Sequence, residues 1–426
     1  MKHIFFILFL SFLSVNTLFS QVNSNIPRII DFSLKENKLL DDTISSKILE
    51  IPFLGFDFDF KSDPGVYNFF TKNGTNFILD LQAYKDHVDN AAYHLIDVNN
   101  SLLYYAFRHK KNVYSLGLSH RLFAETSLSS ELVSLLVDGN YQYLNKTFIL
   151  DESIYGHAVN YFSIFFGYAK KIQDKMSINS KFKLIKGVAS LGMENQQSSF
   201  LFSDNFNTLD NPISSEFYSD ASYFINSNYK PFSNLGFAVD LFLDYDYNER
   251  FSFYTKTSDL GFIVWQENEY ISQGHYSFDG LDYQLDTTLS YAFNNLKDDL
   301  DTFFSGDSVY TNKLRILPFE VNLGINYSFN DGSHQINTNY SVQKLYKTLL
   351  HTVQISYLRY FADYNFAIIP SYSINKFNYT NFSIALNKKW KNRFCTSFYI
   401  ENIFAFLPVK ANGNNIGFGW ELYLLF

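Results

Sequence analysis

The 426-residue sequence contains a single cysteine, Cys395, and only eight prolines. One cysteine cannot form a disulfide framework, and it cannot supply the several thiolates of a structural zinc site. Basic residues are also few, because 34 lysines and arginines stand against 42 aspartates and glutamates, and the formal net charge is −8. This balance argues against a nucleic-acid-binding protein, which normally carries a basic surface.

Aromatic residues, in contrast, are abundant. They make up 19% of the chain, whereas charged residues make up only 18%, below the roughly 25% of ordinary domains. Disordered chains have few aromatic residues and a high net charge, so this composition excludes disorder. It indicates a large, β-rich protein.

The N-terminus has the layout of a secretory signal peptide. Lys2 precedes the apolar run Ile4–Leu13, which continues loosely to Phe19 and ends at Ser20. A basic start, a short apolar core and a small residue at the cut predict that residues 1–20 are removed. A retained anchor is the alternative, although a helical span needs about 20 apolar residues. No later run is long enough for such a span, so the exported chain is soluble or crosses a membrane as a β-barrel.

Long alternating segments decide between these two. In Gly236–Asn248 and in Phe319–Phe329, apolar residues occupy every second position and polar residues lie between them. Soluble strands are commonly five or six residues long. Segments of about ten alternating residues between turns are the signature of outer-membrane barrels, which have an apolar outside and a polar lumen.

Tight polar connections give the strand number. Both termini of such barrels usually lie on the side of the short turns, so six of these turns imply 14 strands, with a range of 12–16. The fold class is therefore predicted to be all-β, a transmembrane antiparallel β-barrel, with its first strand at 75–83. The six turns are Arg108–Asn112, Lys170–Lys175, Tyr247–Arg250, Asn330–Ser333, Phe361–Tyr364 and Lys388–Asn392.

The predicted domain organisation has three parts. The signal peptide, 1–20, is followed by an N-terminal segment, 21–74, which is either a plug in the lumen or an extra strand, because Ile51–Phe60 alternates. The barrel itself covers 75–426. Long extracellular excursions are expected near 125–157, 188–234 and 259–315, with helices at Ser127–Val137 and Thr288–Phe304. Residues 259–312 hold ten acidic side chains and one lysine, so we expect an acidic region at the cell surface.

Alternation also predicts which charged side chains point into the lumen. They either select or bind a solute, or they only fill a hydrated interior. Cys395 is expected to face inward as a small filler. The lumen-facing candidates are Lys181, Lys183, Asp240, Asp244 and Glu320.

The C-terminal strand ends on an aromatic residue, and its apolar positions step back by twos. This pattern is similar to the signal that outer-membrane barrels present to the barrel assembly machinery. The tryptophans Trp265, Trp390 and Trp420 are expected in the aromatic girdles at the membrane interfaces. The predicted assembly signal comprises Phe418, Trp420, Leu422, Leu424 and Phe426.

Motifs for catalysis are missing from the sequence. There is no G-x-S-x-G elbow, H-E-x-x-H pair or P-loop, and the nine histidines show no metal-ligand spacing. Ser119 and His120 are adjacent, but neighbours on a strand point to opposite faces. We therefore predict a protein that is not an enzyme and uses no cofactor or metal. An outer-membrane lipid-modifying enzyme remains a remote alternative.

Several stretches resemble a family of Bacteroidota outer-membrane proteins that carry a barrel domain of unknown function. They include Asp138-Gly139-Asn140, Lys181–Gly187, Leu235–Asn248, Ser258–Trp265 and Phe278–Asp282. The family looks similar to barrels of the long-chain fatty-acid transporter type and to the shuttle barrels of the type IX secretion system. This resemblance implies 14 strands and an outer-membrane location, but no catalytic or binding residues.

The leading functional prediction is passage or binding of a small solute, for which a lipophilic character is one option. The alternative is a non-transport role as an assembly or attachment partner of surface or secreted proteins. Expected partners are outer-membrane lipid and lipopolysaccharide, the barrel assembly machinery and a surface protein, and no nucleic acid.

Overall fold

The structure is a computed structural model of the full chain. It describes residues 35–41, 45–52, 54–65, 70–73, 76–139, 141–204, 213–226, 232–278, 308–329, 332–391, 393–406 and 415–426. The predicted signal peptide and the predicted helix Thr288–Phe304 lie outside these residues. Among the described helices, none is long and apolar enough to cross a membrane.

The described chain is mostly strand, with three short helices: α1 (Lys35–Asp41), α2 (Leu81–Lys85) and α3 (Ser130–Asp138). The strands in chain order are β1 (Lys47–Glu50), β2 (Gly55–Asp63), β3 (Phe70–Asn73), β4 (Asn76–Leu79), β5 (Ala91–His109), β6 (Asn112–Ser129), β7 (Thr147–Leu150), β8 (Tyr155–Gln173), β9 (Met176–Asn195), β10 (Ser198–Asp204), β11 (Ile213–Asn226), β12 (Leu235–Asp246), β13 (Phe251–Phe278), β14 (Ser308–Ile316), β15 (Phe319–Ser328), β16 (His334–Lys344), β17 (Leu349–Phe361), β18 (Phe366–Ile374), β19 (Asn381–Trp390), β20 (Phe394–Glu401) and β21 (Asn415–Leu425).

These strands close into one antiparallel barrel of 14 wall strands, as the sequence predicts. Neighbours in the wall are joined in chain order, and the last strand, β21, pairs with β1 and β2, which pair in turn with β5. Closure removes every free strand edge from the wall, which a chain in lipid requires because no water is present to satisfy backbone groups.

The first wall strand is not the predicted one. β1 and β2 together form it, at Lys47–Asp63, inside the segment for which a plug or an extra strand is predicted. A strand, β4, does lie within the predicted range 75–83, but it is not a wall strand: among the described residues it pairs with β3 in a separate two-stranded sheet and ends at Leu79. Asp80 then caps α2 by accepting a hydrogen bond from the Ala83 backbone at 2.9 Å, which ends the extended run.

The two ends of the barrel differ in their connections. All six predicted tight turns lie at one end, between β5 and β6, β8 and β9, β12 and β13, β15 and β16, β17 and β18, and β19 and β20. The start of β1 and the C-terminus meet at this same end, where Lys47 N donates to Phe426 O at 3.1 Å. We call it the turn end, and we call the other the loop end.

At the loop end, strands extend much farther than predicted. β13 runs to Phe278 and β14 begins at Ser308, so both flanks of the predicted 259–315 excursion are sheet. β7, β10 and β11 add further sheet there, within the other two predicted excursions. The helix predicted at Ser127–Val137 is present as α3, and it begins where the Ser129 side chain accepts from the Leu132 backbone at 3.2 Å.

The outer surface of the wall is apolar. Alternate residues such as Leu116, Ile164 and Leu184 project outward and are more than half exposed. Near the turn end this belt becomes aromatic, with Tyr114 in ring contact with Phe107 and with Tyr168, each at 5.5 Å. This arrangement is that of a membrane belt with an interfacial girdle.

The prediction that Trp265 belongs to a girdle is wrong. Its side chain points inward and is 1% exposed, in an apolar cluster within the barrel. The ring fits because Gly187 lies beneath it: a Cβ at that position would be 2.5 Å from the Trp265 ring. Trp390, in contrast, is half exposed beside a turn, and Trp420 stacks on Phe56 at 4.8 Å on the outer face.

Candidate functional site

Helix α1 lies inside the barrel near the turn end. Leu39 is fully buried against inward side chains of the wall, including Val113 and Ala169. Arg108, next to the first tight turn, donates to the Leu39 carbonyl at 3.0 Å. A short helix thus fills the lumen at this end by apolar packing and by a backbone contact.

Two charged residues at the start of α1 fix it to the wall. Lys35 Nζ lies 3.0 Å from a carboxylate oxygen of Glu50 and 3.3 Å from one of Glu421. Glu36 is completely buried; it accepts from Ser115 Oγ at 2.9 Å and contacts Lys181 Nζ at 3.1 Å. Buried charges require such partners, because desolvation of an unpaired charge is costly.

Above α1 lies an internal cavity of about 280 Å³. Polar and charged groups dominate the lining, and both signs are present. The charged lining residues are Lys35, Asp57, Arg121, Lys181, Lys183, Asp240, Lys256, Asp259 and Glu421.

Four of these charges form a connected ion-pair network with Asp97. Arg121 binds Asp97 at 2.6 Å and Asp259 at 2.8 Å. Lys183 binds the other oxygen of Asp259 at 2.6 Å and also binds Asp240 at 2.8 Å. Asp259 therefore bridges two cations that come from two different strands, β6 and β9.

A distortion of the wall brings Asp259 into this position. The residue has a φ of +59°, which Asp tolerates better than most residues, and the pairing of β12 with β13 shifts register between Val239 and Leu241. The Asp259 backbone N–H donates to the side-chain carboxylate of Asp240, on the neighbouring strand β12, at 2.8 Å. This bulge turns a residue that we expected at the cell surface into a lumen residue.

On the loop-end side of the network, the lumen is filled by apolar side chains. Phe123, Ile185, Ile263 and Trp265 are buried there, and Tyr93 stacks on Phe377 at 4.7 Å. These residues form an apolar layer between the ion-pair network and the loop end.

The connection between β16 and β17 bends over this apolar cluster. Its Tyr346 backbone N–H donates to Glu125 at 2.6 Å, and the Tyr346 ring stacks on His157 at 4.0 Å. Arg315 donates to the Tyr346 hydroxyl at 3.1 Å and forms an ion pair with Glu267 at 2.5 Å. Glu267, which we expected in the exposed acidic excursion, is therefore buried in this polar layer.

The predicted lumen residues occupy two levels. Lys181, Lys183 and Asp240 line the cavity and take part in the ion pairs described above. Asp244 is 2% exposed and lies nearer the turn end on β12. Glu320 is partly buried on the inner row of β15, opposite Ser258. Cys395 is buried in the apolar cluster that holds Leu39.

Sequence reasoning missed three of the five residues of the network, Asp97, Arg121 and Asp259. Arg121 shares the inward face of β6 with Ser119 and Phe123, while Leu118 and Leu122 face outward, so alternation alone could have identified it. Asp259 could not be found in this way, because the bulge interrupts the alternation. Lys35 lies in a segment that shows no strand pattern.

The predicted assembly signal forms the outer face of β21. Phe418, Trp420, Leu422 and Leu424 alternate with the inward residues Glu421, Tyr423 and Leu425. Phe426 is more than half exposed at the turn end. Whether the assembly machinery binds this face stays a prediction.

The adjacent residues Ser119 and His120 point to opposite faces of β6. Ser119 lines the cavity, whereas His120 contacts Asn100, Asn160 and Phe162 on the other face of β6. Within the described residues, no group of three or more His, Cys, Asp or Glu side chains is placed to hold a metal ion.

These features define the class of the protein: a transmembrane antiparallel β-barrel with 14 strands, an apolar belt and a lumen that holds paired charges. The chain belongs to the family of unknown function DUF5723, whose sequence profile matches residues 43–395. No curated protein matches the chain.

Solved structures show distant similarity to the chain. The toluene transporter TbuX of Ralstonia pickettii has 9% identity and a TM-score of 0.39, over 89% of this chain and 88% of its own. For the Pseudomonas putida toluene transporter TodX the values are 8% and 0.43, over 95% and 94%. A FadL homologue of Pseudomonas aeruginosa has 9% and 0.42, over 89% of each chain. These similarities give no information on what this chain binds.

Proposed function

We propose that the protein is an outer-membrane barrel that binds a small solute in its central cavity and passes it when the plug at one end of the lumen is displaced. The apolar belt, the single closed wall and the predicted signal peptide support the outer-membrane location. The observation that carries the solute proposal is the 280 Å³ cavity between α1 and the Arg121–Asp259 network.

The lining of the cavity restricts the chemical class of solute that it can bind. Drug-sized ligands occupy pockets of about 300–1,000 Å³ with mostly apolar walls, whereas this cavity is smaller and is lined by charges of both signs. A lipophilic solute would leave those charges without water, so the cavity favours a small polar solute that carries complementary charges. Lys256 lines the cavity, and none of the described residues forms an ion pair with it, so its ammonium group is available to an anionic group of the solute.

The second candidate is the attachment role for surface or secreted proteins. The observation that favours it is occlusion, because α1 fills one end of the lumen and the Trp265 cluster fills the other. A barrel that only anchors a partner needs no open lumen.

Liposome swelling with purified protein separates the two. We expect entry of glycine, a small zwitterion, to exceed entry of the uncharged sugar arabinose, and we expect Lys256→Met to reduce glycine entry. Lys111→Met, at an exposed turn, is the matched control and should change nothing. Swelling no faster than that of empty liposomes for both solutes, in the wild type and also after Glu36→Ala and Leu39→Ala loosen the plug, would refute solute passage and would leave the attachment role.

A further inference from the structure

Basic side chains are concentrated on one half of the turn end. Three of the six tight turns, Arg108–Asn112, Lys170–Lys175 and Lys388–Asn392, hold nine lysines and arginines and one acidic residue, Asp174. The other three turns hold one arginine and three acidic residues. The whole chain, in contrast, is acidic, with a formal net charge of −8. The turn end therefore carries a strong positive charge on one side only.

The three basic turns follow one another around the wall. They connect β19 to β20, β5 to β6 and β8 to β9. The pairing of β20 with β21, of β21 with β1, of β1 with β5 and of β6 with β8 makes these strands neighbours. Lys47, at the start of β1, and Arg393, just before β20, lie in the same stretch of the wall. We call the three turns, with Lys47 and Arg393, the basic arc.

Aromatic side chains of the outer face lie directly behind the basic arc. On β8, Phe166, Tyr168 and Lys170 occupy successive outward positions, whereas Ala169 is buried. On β19, the amino group of Lys388 lies 5.3 Å from the centroid of the half-exposed Trp390 ring. Aromatic rings at the edge of an apolar belt mark the level of the lipid headgroups. The basic arc therefore begins where the hydrocarbon layer ends.

The amino groups of the basic arc are within reach of lipid phosphates. A strand advances about 3.3 Å per residue, so Lys170 lies roughly 7 Å beyond Tyr168 along β8. Lysine side chains lay their apolar stem along such a surface and place the ammonium group in the polar layer. Phosphate oxygens accept short, charge-assisted hydrogen bonds from ammonium and guanidinium groups.

The protein itself supplies few anions to these cations. Lys110, Lys111, Lys170 and Lys391 are exposed, and none of the described residues forms an ion pair with any of the four. A concentration of like charges is unfavourable because they repel one another, so the basic arc favours an anionic partner. Lys170 and Lys388 stand on lipid-facing rows, which favours a partner beside the wall over one beneath the turns.

We propose that the basic arc binds the phosphate groups of anionic phospholipids, of the phosphatidylglycerol class, in the membrane leaflet at the turn end. Each lysine or arginine near an anionic membrane surface strengthens such binding by about fivefold. The bound lipids neutralise like charges on both sides of the seam between β21 and β1. This proposal depends on the membrane-spanning wall and is independent of the solute cavity.

Quenching of tryptophan fluorescence by brominated lipids tests the proposal. The full-length protein with Trp420→Phe is folded into phosphatidylcholine vesicles, and Trp390 is then the one outward tryptophan, because Trp265 is buried inside the barrel. In about 0.1 M NaCl, brominated phosphatidylglycerol should bind beside Trp390 about fivefold more strongly than brominated phosphatidylcholine. In about 1 M NaCl, where the Debye length is about 3 Å, this preference should fall below about twofold.

Neutralisation of the cations around Trp390 should have the same effect as salt. In the triple variant Lys388→Gln, Lys391→Asn and Arg393→Gln, we expect the preference to fall below about twofold in low salt. Asparagine is chosen at position 391 because φ is +46° there. The matched control, Lys85→Gln, Lys146→Gln and Lys313→Gln, removes the same charge at the loop end and should keep the preference of the parent protein.

Three outcomes would overturn the proposal. Equal quenching by the two lipids in low salt would exclude anionic lipid and leave an acidic protein as the partner of the basic arc. A preference that persists in the triple variant, or that the control loses to the same extent, would not come from the basic arc. A preference that is unchanged in about 1 M NaCl would not come from charge, and this measurement needs no variant of the basic arc.

Discussion

Replacement of Asp259 by asparagine should destabilise the barrel markedly, although the shape of the side chain is kept. Asp259 contacts two cations, Arg121 at 2.8 Å and Lys183 at 2.6 Å, and all three side chains are only 13–16% exposed. At an effective dielectric constant of about 20, each such pair is worth roughly 4 kcal/mol before desolvation is subtracted. Breaking a buried pair by removal of one partner costs about 3–5 kcal/mol.

We expect a value near the lower limit, about 3 kcal/mol, because both cations keep a second carboxylate, Asp97 or Asp240. Asparagine tolerates the positive φ at this position, so this cost reports the charge alone. Asp259→Ala should cost about 1 kcal/mol more, since alanine is strained there.

The assay is urea unfolding of the protein folded into lipid vesicles, followed by tryptophan fluorescence. Asp363→Asn, in the exposed turn at Ala362–Tyr364, is the control and should change the free energy of unfolding by less than about 0.5 kcal/mol. In the Asp259→Asn background, Lys183→Met should cost less than it does in the wild type. A cost below about 1 kcal/mol for Asp259→Asn, typical of surface ion pairs, would refute the reasoning.

Three further perturbations test other parts of the structure. Trp265→Ala should lower the free energy of unfolding by about 3–5 kcal/mol, since the ring is buried on the loop-end side of the ion-pair network. Trp390→Ala, at a half-exposed ring, should lower it far less in the same unfolding assay. Similar losses in both variants would place Trp265 in a girdle after all. Deletion of Phe426 should lower the amount of heat-modifiable barrel in the outer membrane, because the assembly signal is predicted to end on this residue and its carbonyl accepts from Lys47 N at 3.1 Å. Phe426→Tyr should assemble normally. Equal amounts of barrel in both variants would count against an assembly role. The third test uses a Cys395→Ser background. A cysteine introduced at the exposed Leu136 should react with an impermeant maleimide in intact cells, whereas a cysteine at Lys111 should react only after the outer membrane is opened. The opposite labelling pattern would show that the topology is inverted.

Much of the fold follows from a local signal, the alternation of apolar and polar residues. This signal predicted the strand number and all six tight turns, since each is encoded within about ten neighbouring residues. It failed at the first strand because β1 and β2 are separated by residues 51–54, and the apolar run at Asn76–Leu79 was taken for a wall strand. It also underestimated β13 and β14, because strands that extend beyond the belt need no apolar outer face.

The site could be predicted only in part, for the same physical reason. Alternation shows that Lys183 and Asp240 lie on inward positions, but it carries no information on which distant strands face each other across the lumen. Arg121 and Asp259 are 138 positions apart in the chain, and their contact depends on the bulge in β13. The direction of Trp265 depends on the register that sets it above Gly187.

The most direct test of the central claim, a solute cavity closed at one end by α1, is the conductance of single barrels in a planar bilayer. Glu36→Ala removes the carboxylate that binds Lys181 and Ser115, and Leu39→Ala removes the buried apolar anchor of the helix. The wild type should show low conductance, and the double variant should open in steps and to a higher level. A wild type that is steadily open, or a double variant that conducts no better than the wild type, would contradict the account.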